Sequence, residues 1–230
     1  MNRNPDYEFI NNIPVFRELS RETVLSLISP LDKKRFQGGN YFFHQDDKAE
    51  FFYILETGMV EIYKSDANGR KLTLWHLESG SVFCLANMFT GRAFASAVAK
   101  SECLAFRITR DRLLARIAED QQLSLQLMQC LCAKMGTYSA LLEEFTFRDV
   151  KGRLARLLLR FGPSTEGTSV CHLTHGEMAS LLGTCREVVT RTLKTFRQAG
   201  LIATAANGKK QQISILDAQG LKRFCCQEKD

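Results

Sequence analysis

The sequence contains no apolar run of the roughly eighteen residues that a membrane-spanning helix needs, so no membrane association is expected. Its start, Met1-Asn2-Arg3-Asn4-Pro5-Asp6, lacks the apolar core of a signal peptide. None of the eight cysteines forms a Cys-x-x-Cys pair, and Cys130-x-Cys132 and Cys225-Cys226 lack metal-site spacing. Together these absences predict a cytoplasmic protein with reduced thiols. Also missing are a nucleophile elbow, a phosphate-binding glycine loop, a helical pair of metal-binding histidines and paired carboxylates in a helical pattern. An enzyme is therefore not expected. There is no internal repeat and no low-complexity tract.

What is present is 230 residues, enough for two domains with separate cores, and an uneven charge. Residues 146–230 hold fourteen Lys/Arg against seven Asp/Glu, and the remainder holds seventeen against eighteen. The net charge of +6 therefore comes entirely from the C-terminal part. Basic charge confined to one domain is the footprint of a phosphate-backbone binder.

Within that part, residues 174–193 read as two short helices around a tight turn. Thr174 with Glu177 predicts a capping box, and Met178, Leu181 and Leu182 form an apolar stripe. Gly183 predicts the left-handed cap. A second helix is expected from Thr184. Its apolar positions are Val188, Val189, Leu193 and Phe196, and its other face carries Arg186, Thr190, Arg191, Lys194 and Arg197. This is the layout of a helix-turn-helix whose second helix enters the major groove. A plain helical hairpin with a solvated basic face has the same local pattern. The flanks add weight to the first reading. Runs around Leu201–Ala203 and Gln211–Ile215 alternate about Asn207-Gly208, a two-residue hairpin signal that makes the unit a winged helix.

The rest of the chain divides by periodicity. Residues 5–34 read as short helices, with Ser20 as an N-cap. From Phe36 to about Ile108 short β-rich runs alternate with turns such as Glu56-Thr57-Gly58 and Asn68-Gly69, which predicts a β-barrel or jelly roll. From Asp111 to about Phe145 the pattern is helical. Met128, Leu131, Met135, Tyr138, Leu142 and Phe145 follow an a/d heptad seam, which predicts a partner helix from a second copy. After Thr146, Val150, Leu154, Leu157 and Leu158 form an apolar helical stripe with Arg153, Arg156 and Arg160 on other faces, and residues 162–168 read as a loop. The expected fold is α+β in three parts: a sensor domain over 1–110, a dimerisation helix over 111–145, and a winged helix-turn-helix over 146–230.

Cys185-Arg186-Glu187-Val188-Val189-Thr190-Arg191 resembles the recognition-helix signature of the cyclic-AMP receptor protein/FNR family of transcription regulators. Arg148-Asp149-Val150-Lys151-Gly152-Arg153-Leu154-Ala155 resembles the segment that opens that family's DNA-binding domain. Residues 51–63 resemble the strand–glycine–strand signature of its cyclic-nucleotide-binding-type sensor, and Ser79-Gly80-Ser81-Val82-Phe83 the approach to its ligand cassette. The resemblance implies a dimeric regulator gated by a small effector, with RNA polymerase and double-stranded promoter DNA as partners. It places Arg186, Glu187 and Arg191 at the family's base-contacting positions, which implies palindromic sites with TGTGA-like half-sites. Thr190 joins this expected DNA face, and Lys194 and Arg197 would meet phosphates or solvent. Glu187 has a second reading as the partner of Thr184 in a capping box.

The same resemblance makes cyclic AMP an unexpected effector. The positions that offer a glutamate to the ribose and an arginine to the cyclic phosphate are here Leu85 and Ala95. A phosphate left without its cation in a partly buried site is costly. Arg92 lies nearby with a different spacing, while Ser96 and Ser139 match small polar positions of the family pocket. An iron–sulfur cluster near the N-terminus is not expected, because the first cysteine is Cys84. Cys84 stands where the family's heme-binding carbon-monoxide sensors carry a cysteine, yet Ala86 replaces their histidine. His44 and His76 remain as candidate heme ligands, but Cys84 also reads as a small buried hydrophobe. The effector is left unknown, with heme not favoured. The alternative functions are a heme-based gas or redox sensor regulator of the same family and a cyclic-nucleotide-binding module that acts through protein contacts, and the basic winged-helix half speaks against the latter.

Overall fold

A computed structural model describes residues 5–160, 170–207 and 210–225. The chain falls into two compact units, Met1–Lys64 with Leu74–Thr137 and Ser65–Thr73 with Tyr138–Asp230. The division falls inside the longest helix.

The first unit opens with α1 (Pro5–Asn11) and α2 (Arg21–Ile28). Ser20 caps α2 by accepting from the Thr23 amide at 3.1 Å. Eight strands follow: β1 (Asp32–Phe36), β2 (Tyr41–Phe43), β3 (Phe51–Thr57), β4 (Val60–Ser65), β5 (Lys71–Leu77), β6 (Val82–Phe83), then, after α3 (Leu85–Thr90), β7 (Ser96–Ala99) and β8 (Cys103–Thr109). They form two four-stranded sheets, β1-β8-β3-β6 and β2-β7-β4-β5. Of the β-barrel or jelly roll expected here, this is the two-sheet, jelly-roll form. Strand β1 was not expected, since residues 5–34 read as helical. Its sequence Asp-Lys-Lys-Arg-Phe is exposed except at Phe36, so no apolar alternation marks it. Its order comes instead from pairing with β8, where the Arg107 guanidinium donates to the Asp32 carboxylate at 2.8 Å.

The alternation of side chains explains the continuous apolar run in β3. Successive residues of a strand point to opposite faces. Phe52 and Ile54 join Phe106 and Ile108 of β8 in a core with α1 and α2, and Tyr53 and Leu55 face a second core shared with β4 and β7. That second core stacks aromatic rings, Phe36 on Phe42 at 3.8 Å and Tyr53 on Phe83 at 5.1 Å. Ala95, Ala97 and Ala99 supply the small partners.

Gly58, between β3 and β4, has φ +95°, in the region that disfavours side chains. A Cβ there would meet the Glu102 carbonyl oxygen and would lie 2.6 Å from Cys103 Sγ and 2.9 Å from Cys103 Cα. Backbone strain and overpacking both apply, so Gly58→Ala is expected to destabilise the protein by roughly 3 kcal/mol. A urea titration read by tryptophan fluorescence tests it; an unchanged midpoint would contradict the tight turn.

The helical stretch expected to run unbroken over 111–145 is two helices, α4 (Arg110–Glu119) and α5 (Gln121–Phe147). Asp120 breaks it with extended backbone at φ −122°, ψ 106°. Its carboxylate accepts from the Leu123 amide at 2.9 Å and from Thr23 Oγ1 at 2.5 Å, so it caps α5 and ties that end to α2. The Thr23 and Leu123 bonds hold its pKa below the ordinary aspartate value.

The second unit contains α6 (Val150–Arg160), β9 (Val170–Cys171), α7 (His175–Leu182), α8 (Arg186–Gln198), β10 (Ile202–Asn207), β11 (Lys210–Ile215) and α9 (Ala218–Cys225). Leu154, Leu158, Met178, Leu182, Val189, Leu193, Phe196 and Ile213 form its core. Strands β10 and β11 pair from Ile202↔Ile215 out to Asn207↔Lys210, with β9 on the far side of β11. This is the expected winged helix. Gly208 of the expected turn, and the 162–168 loop, lie outside the described residues, as does Cys226. Arg153, expected on an outer face of α6, is instead buried. Its Nη1 donates to the Arg148 carbonyl at 2.9 Å and its guanidinium lies 4.8 Å from the centroid of the Phe145 ring.

Candidate nucleic-acid interface and effector region

The candidate interface is built by α7 and α8. Thr174 caps α7 through a complete capping box: its Oγ1 accepts from the Glu177 amide at 3.2 Å, and Glu177 Oε2 accepts from the Thr174 amide at 2.8 Å. Gly183 ends α7 in the left-handed region at φ +59°. A Cβ there would come within 2.9 Å of Phe145 Cε1, so the turn needs glycine for space as well as for conformation.

Helix α8 starts one residue later than expected, with Cys185 rather than Thr184 at the N-cap. Val189, Thr192, Leu193 and Phe196 are buried, and Arg186, Glu187, Thr190, Arg191 and Lys194 are all exposed on the same helix. The helix therefore sacrifices one face to the core and keeps an exposed polar face. Glu187 is at the second helical position, not the third, so it does not close a box onto Thr184. Its pKa is lowered, first by its own backbone amide, then by the Cys185 thiol and the Arg186 charge. It stays an ionised acceptor across neutral pH.

Two polar contacts of these helices were not singled out from sequence. His175, at the start of α7, bonds through Nδ1 to Thr190 Oγ1 at 2.9 Å. Thr192 is buried and donates to the Val188 carbonyl at 2.9 Å. The first pairing joins residues fifteen apart on crossing helices, and only a signal for the crossing itself would have revealed it.

In the first unit, Cys84 is the N-cap of α3 in the left-handed region, at φ 72°. Its thiol accepts from Asn87 Nδ2 at 3.1 Å, and burial pushes its pKa up to about 12 despite that bond. It is a protonated, half-buried group near neutral pH, which fits the small-hydrophobe reading. Leu85 is packed with the helical core and Ala95 with the aromatic core, while Ala86 is half-buried. Ser96 is buried and its Oγ accepts from the Gln45 amide at 2.9 Å. Arg92 is exposed, and its Nη1 donates to the Asp46 carbonyl at 3.1 Å. Ser139 is exposed on α5 and belongs to the second unit. His44 stacks on Tyr41 at 4.0 Å, and His76 is exposed on β5. Among the described residues no group of three or more His, Cys, Asp or Glu is placed to hold a metal ion.

The seam on α5 separates into two rows. Met128, Met135 and Leu142 are 53, 69 and 67% exposed. Leu131, Tyr138 and Phe145 are half-buried, Leu131 against the helical core of the first unit and Phe145 beside Arg153.

A β-sandwich, a long helix and a basic winged helix in one chain are the parts of a DNA-binding regulator. Residues 33–120 match the family model described as a cyclic nucleotide-binding domain, and residues 152–224 match a Crp-like helix-turn-helix domain. A CRP-like cAMP-activated global transcriptional regulator of Mycobacterium tuberculosis is 30% identical, over 94% of this chain and 98% of that protein. A global nitrogen regulator of Synechococcus elongatus is 28% identical, over 92% and 95%. In fold, the chain resembles the solved structure of a regulator of the same family from Eubacterium rectale, with a TM-score of 0.76 at 21% identity, over 92% and 97%. The chain belongs to the CRP/FNR family of transcription regulators. Its relatives are regulators, not enzymes, and no helix among the described residues is long and apolar enough to cross a membrane.

Proposed function

We propose that the protein is a cytoplasmic, dimeric regulator in which residues 1–110 sense a small effector other than cyclic AMP, residues 111–145 dimerise and residues 146–230 read promoter DNA. The observation that carries the DNA reading is the exposed row Arg186, Glu187, Thr190, Arg191 and Lys194 on a helix whose opposite face is core. Arg186 and Arg191 donate to guanine edges and Glu187 accepts from the cytosine amino group. Two copies reading successive major grooves require a palindrome of TGTGA-like half-sites about one helical turn apart. Such a complex positions RNA polymerase at the promoter. Fluorescence anisotropy with this palindrome and a scrambled duplex of equal length tests the reading; equal affinities across a range of salt would refute it.

Dimerisation through α5 is supported by Met128, Met135 and Leu142, which leave a row of large apolar side chains in water at heptad spacing. The effector reading rests on Leu85 and Ala95, which sit in apolar cores and bring no charge to a nucleotide. Arg92, with a guanidinium nitrogen committed to the Asp46 carbonyl, is a poor replacement for the missing cation. The Mycobacterium tuberculosis relative is named for activation by cAMP. For this chain, calorimetric titration is expected to give no heat at micromolar cyclic AMP. Tight binding that also raised affinity for DNA would overturn this part of the proposal.

A further inference from the structure

Resting on the reading of α8 as the base-reading helix, we infer that Thr190 recognises the C5-methyl group of a thymine with its own methyl group, because the one proton of its hydroxyl is spent inside the protein. Thr190 is exposed in the middle of the reading face, one helical turn after Arg186 and next to Arg191. A threonine there has two chemically distinct ways to read a base: a hydroxyl that donates or accepts, and a methyl that packs.

The hydroxyl is already engaged twice. Oγ1 lies 2.9 Å from the Arg186 carbonyl, one turn back along α8, and 2.9 Å from His175 Nδ1 on α7. A hydroxyl has one proton to give. If His175 carries its proton on Nδ1, the imidazole donates to Oγ1 and the hydroxyl proton goes to the Arg186 carbonyl. If His175 carries it on Nε2, the hydroxyl proton goes to Nδ1. In both tautomers the proton is used within the reader and none is left for a base acceptor. His175 is thus a positioning residue: it holds Oγ1 toward α7. Against a thymine edge, whose O4 is an acceptor and needs a donor, Thr190 is left with Cγ2, an apolar group. In the major groove the matching apolar group is the thymine methyl, which no other base carries. Thr190 would add a thymine preference beside the guanine and cytosine contacts of its charged neighbours.

The test uses the full-length protein on the duplex it selects most tightly from a random pool. Each half-site thymine is replaced in turn by deoxyuridine, symmetrically in both half-sites, which removes only the methyl group. The thymine/uracil affinity ratio is measured for wild type, Thr190→Ser and Thr190→Val. A ratio taken within one variant cancels any general loss of affinity or stability. Wild type and Thr190→Val are expected to lose roughly fourfold per half-site at one thymine, the worth of one buried methyl. Thr190→Ser is expected to show a ratio near one at that position. A serine variant that keeps the wild-type ratio, or a valine variant that loses it, would show that the hydroxyl or another residue reads the base. Selection of a specific duplex with no thymine sensitive to methyl loss would overturn this inference while leaving α8 as the reader. Failure to select any sequence would remove both.

Discussion

A protein carrying aspartate at both Met135 and Leu142 is expected to be a folded monomer that no longer binds a palindromic site. The two side chains are 69 and 67% exposed in the single chain, so charges there cost little in the isolated fold. In a paired seam they would be buried without partners, at about 3–5 kcal/mol for each unpaired charge. The dimer dissociation constant should therefore rise on the order of a thousandfold or more. Leu131 is a poorer choice of site, because it packs against the helical core and its loss would confound folding with association. Sedimentation velocity measures the outcome, and the melting temperature checks the fold. A double variant that still sediments as a dimer would place the interface elsewhere.

The second large effect is expected at Arg191. Its replacement by alanine removes a donor pair from the exposed face of α8 without touching Val189, Leu193 or Phe196 beneath it. It should cost roughly 1–3 kcal/mol on the selected duplex and relax the preference at one base pair. Lys194→Ala should instead weaken all sequences alike and reduce the slope of affinity against salt by about one unit. The contrast carries the argument, since a general loss of charge would move both variants in the same way. If Arg191→Ala lowered affinity equally for selected and scrambled DNA, α8 would bind phosphates only and would not read sequence.

The helix-turn-helix was legible because each local signal agreed with the next. The Thr174/Glu177 box, the stripe at Met178 and Leu182, the glycine at 183 and the buried row on α8 all reappear in the structure. The sandwich was legible where strands alternate or run apolar, as in β3 and β8. It was not legible at β1, whose four polar residues are ordered by a partner strand some seventy residues away, as the Arg107–Asp32 bond shows. The break at Asp120 was hidden for a related reason. An aspartate between Glu119 and Gln121 reads as an exposed helical residue, and what makes it a cap is Thr23, distant in sequence. Arg153 looked like surface charge, because no local pattern announces the Phe145 ring and the Arg148 carbonyl that receive it. The candidate readers needed only helical periodicity, whereas the His175–Thr190 pair depends on how α7 crosses α8. In the first unit, Leu85 and Ala95 were legible as missing charges, but their separation into two different cores was not.

The central claim is that two copies of α8 read two half-sites held one helical turn apart. The most direct measurement is the affinity of the full-length protein for its selected palindrome, compared with the same duplex lengthened at its centre by about five base pairs, half a helical turn. The insertion leaves every half-site base and nearly every phosphate in place but turns the second half-site to the opposite side of the DNA. Affinity is expected to fall toward the level of a single half-site and to recover in part when about ten base pairs are inserted. Equal affinity for the parent and the five-base-pair insertion would contradict a dimer that reads both half-sites together.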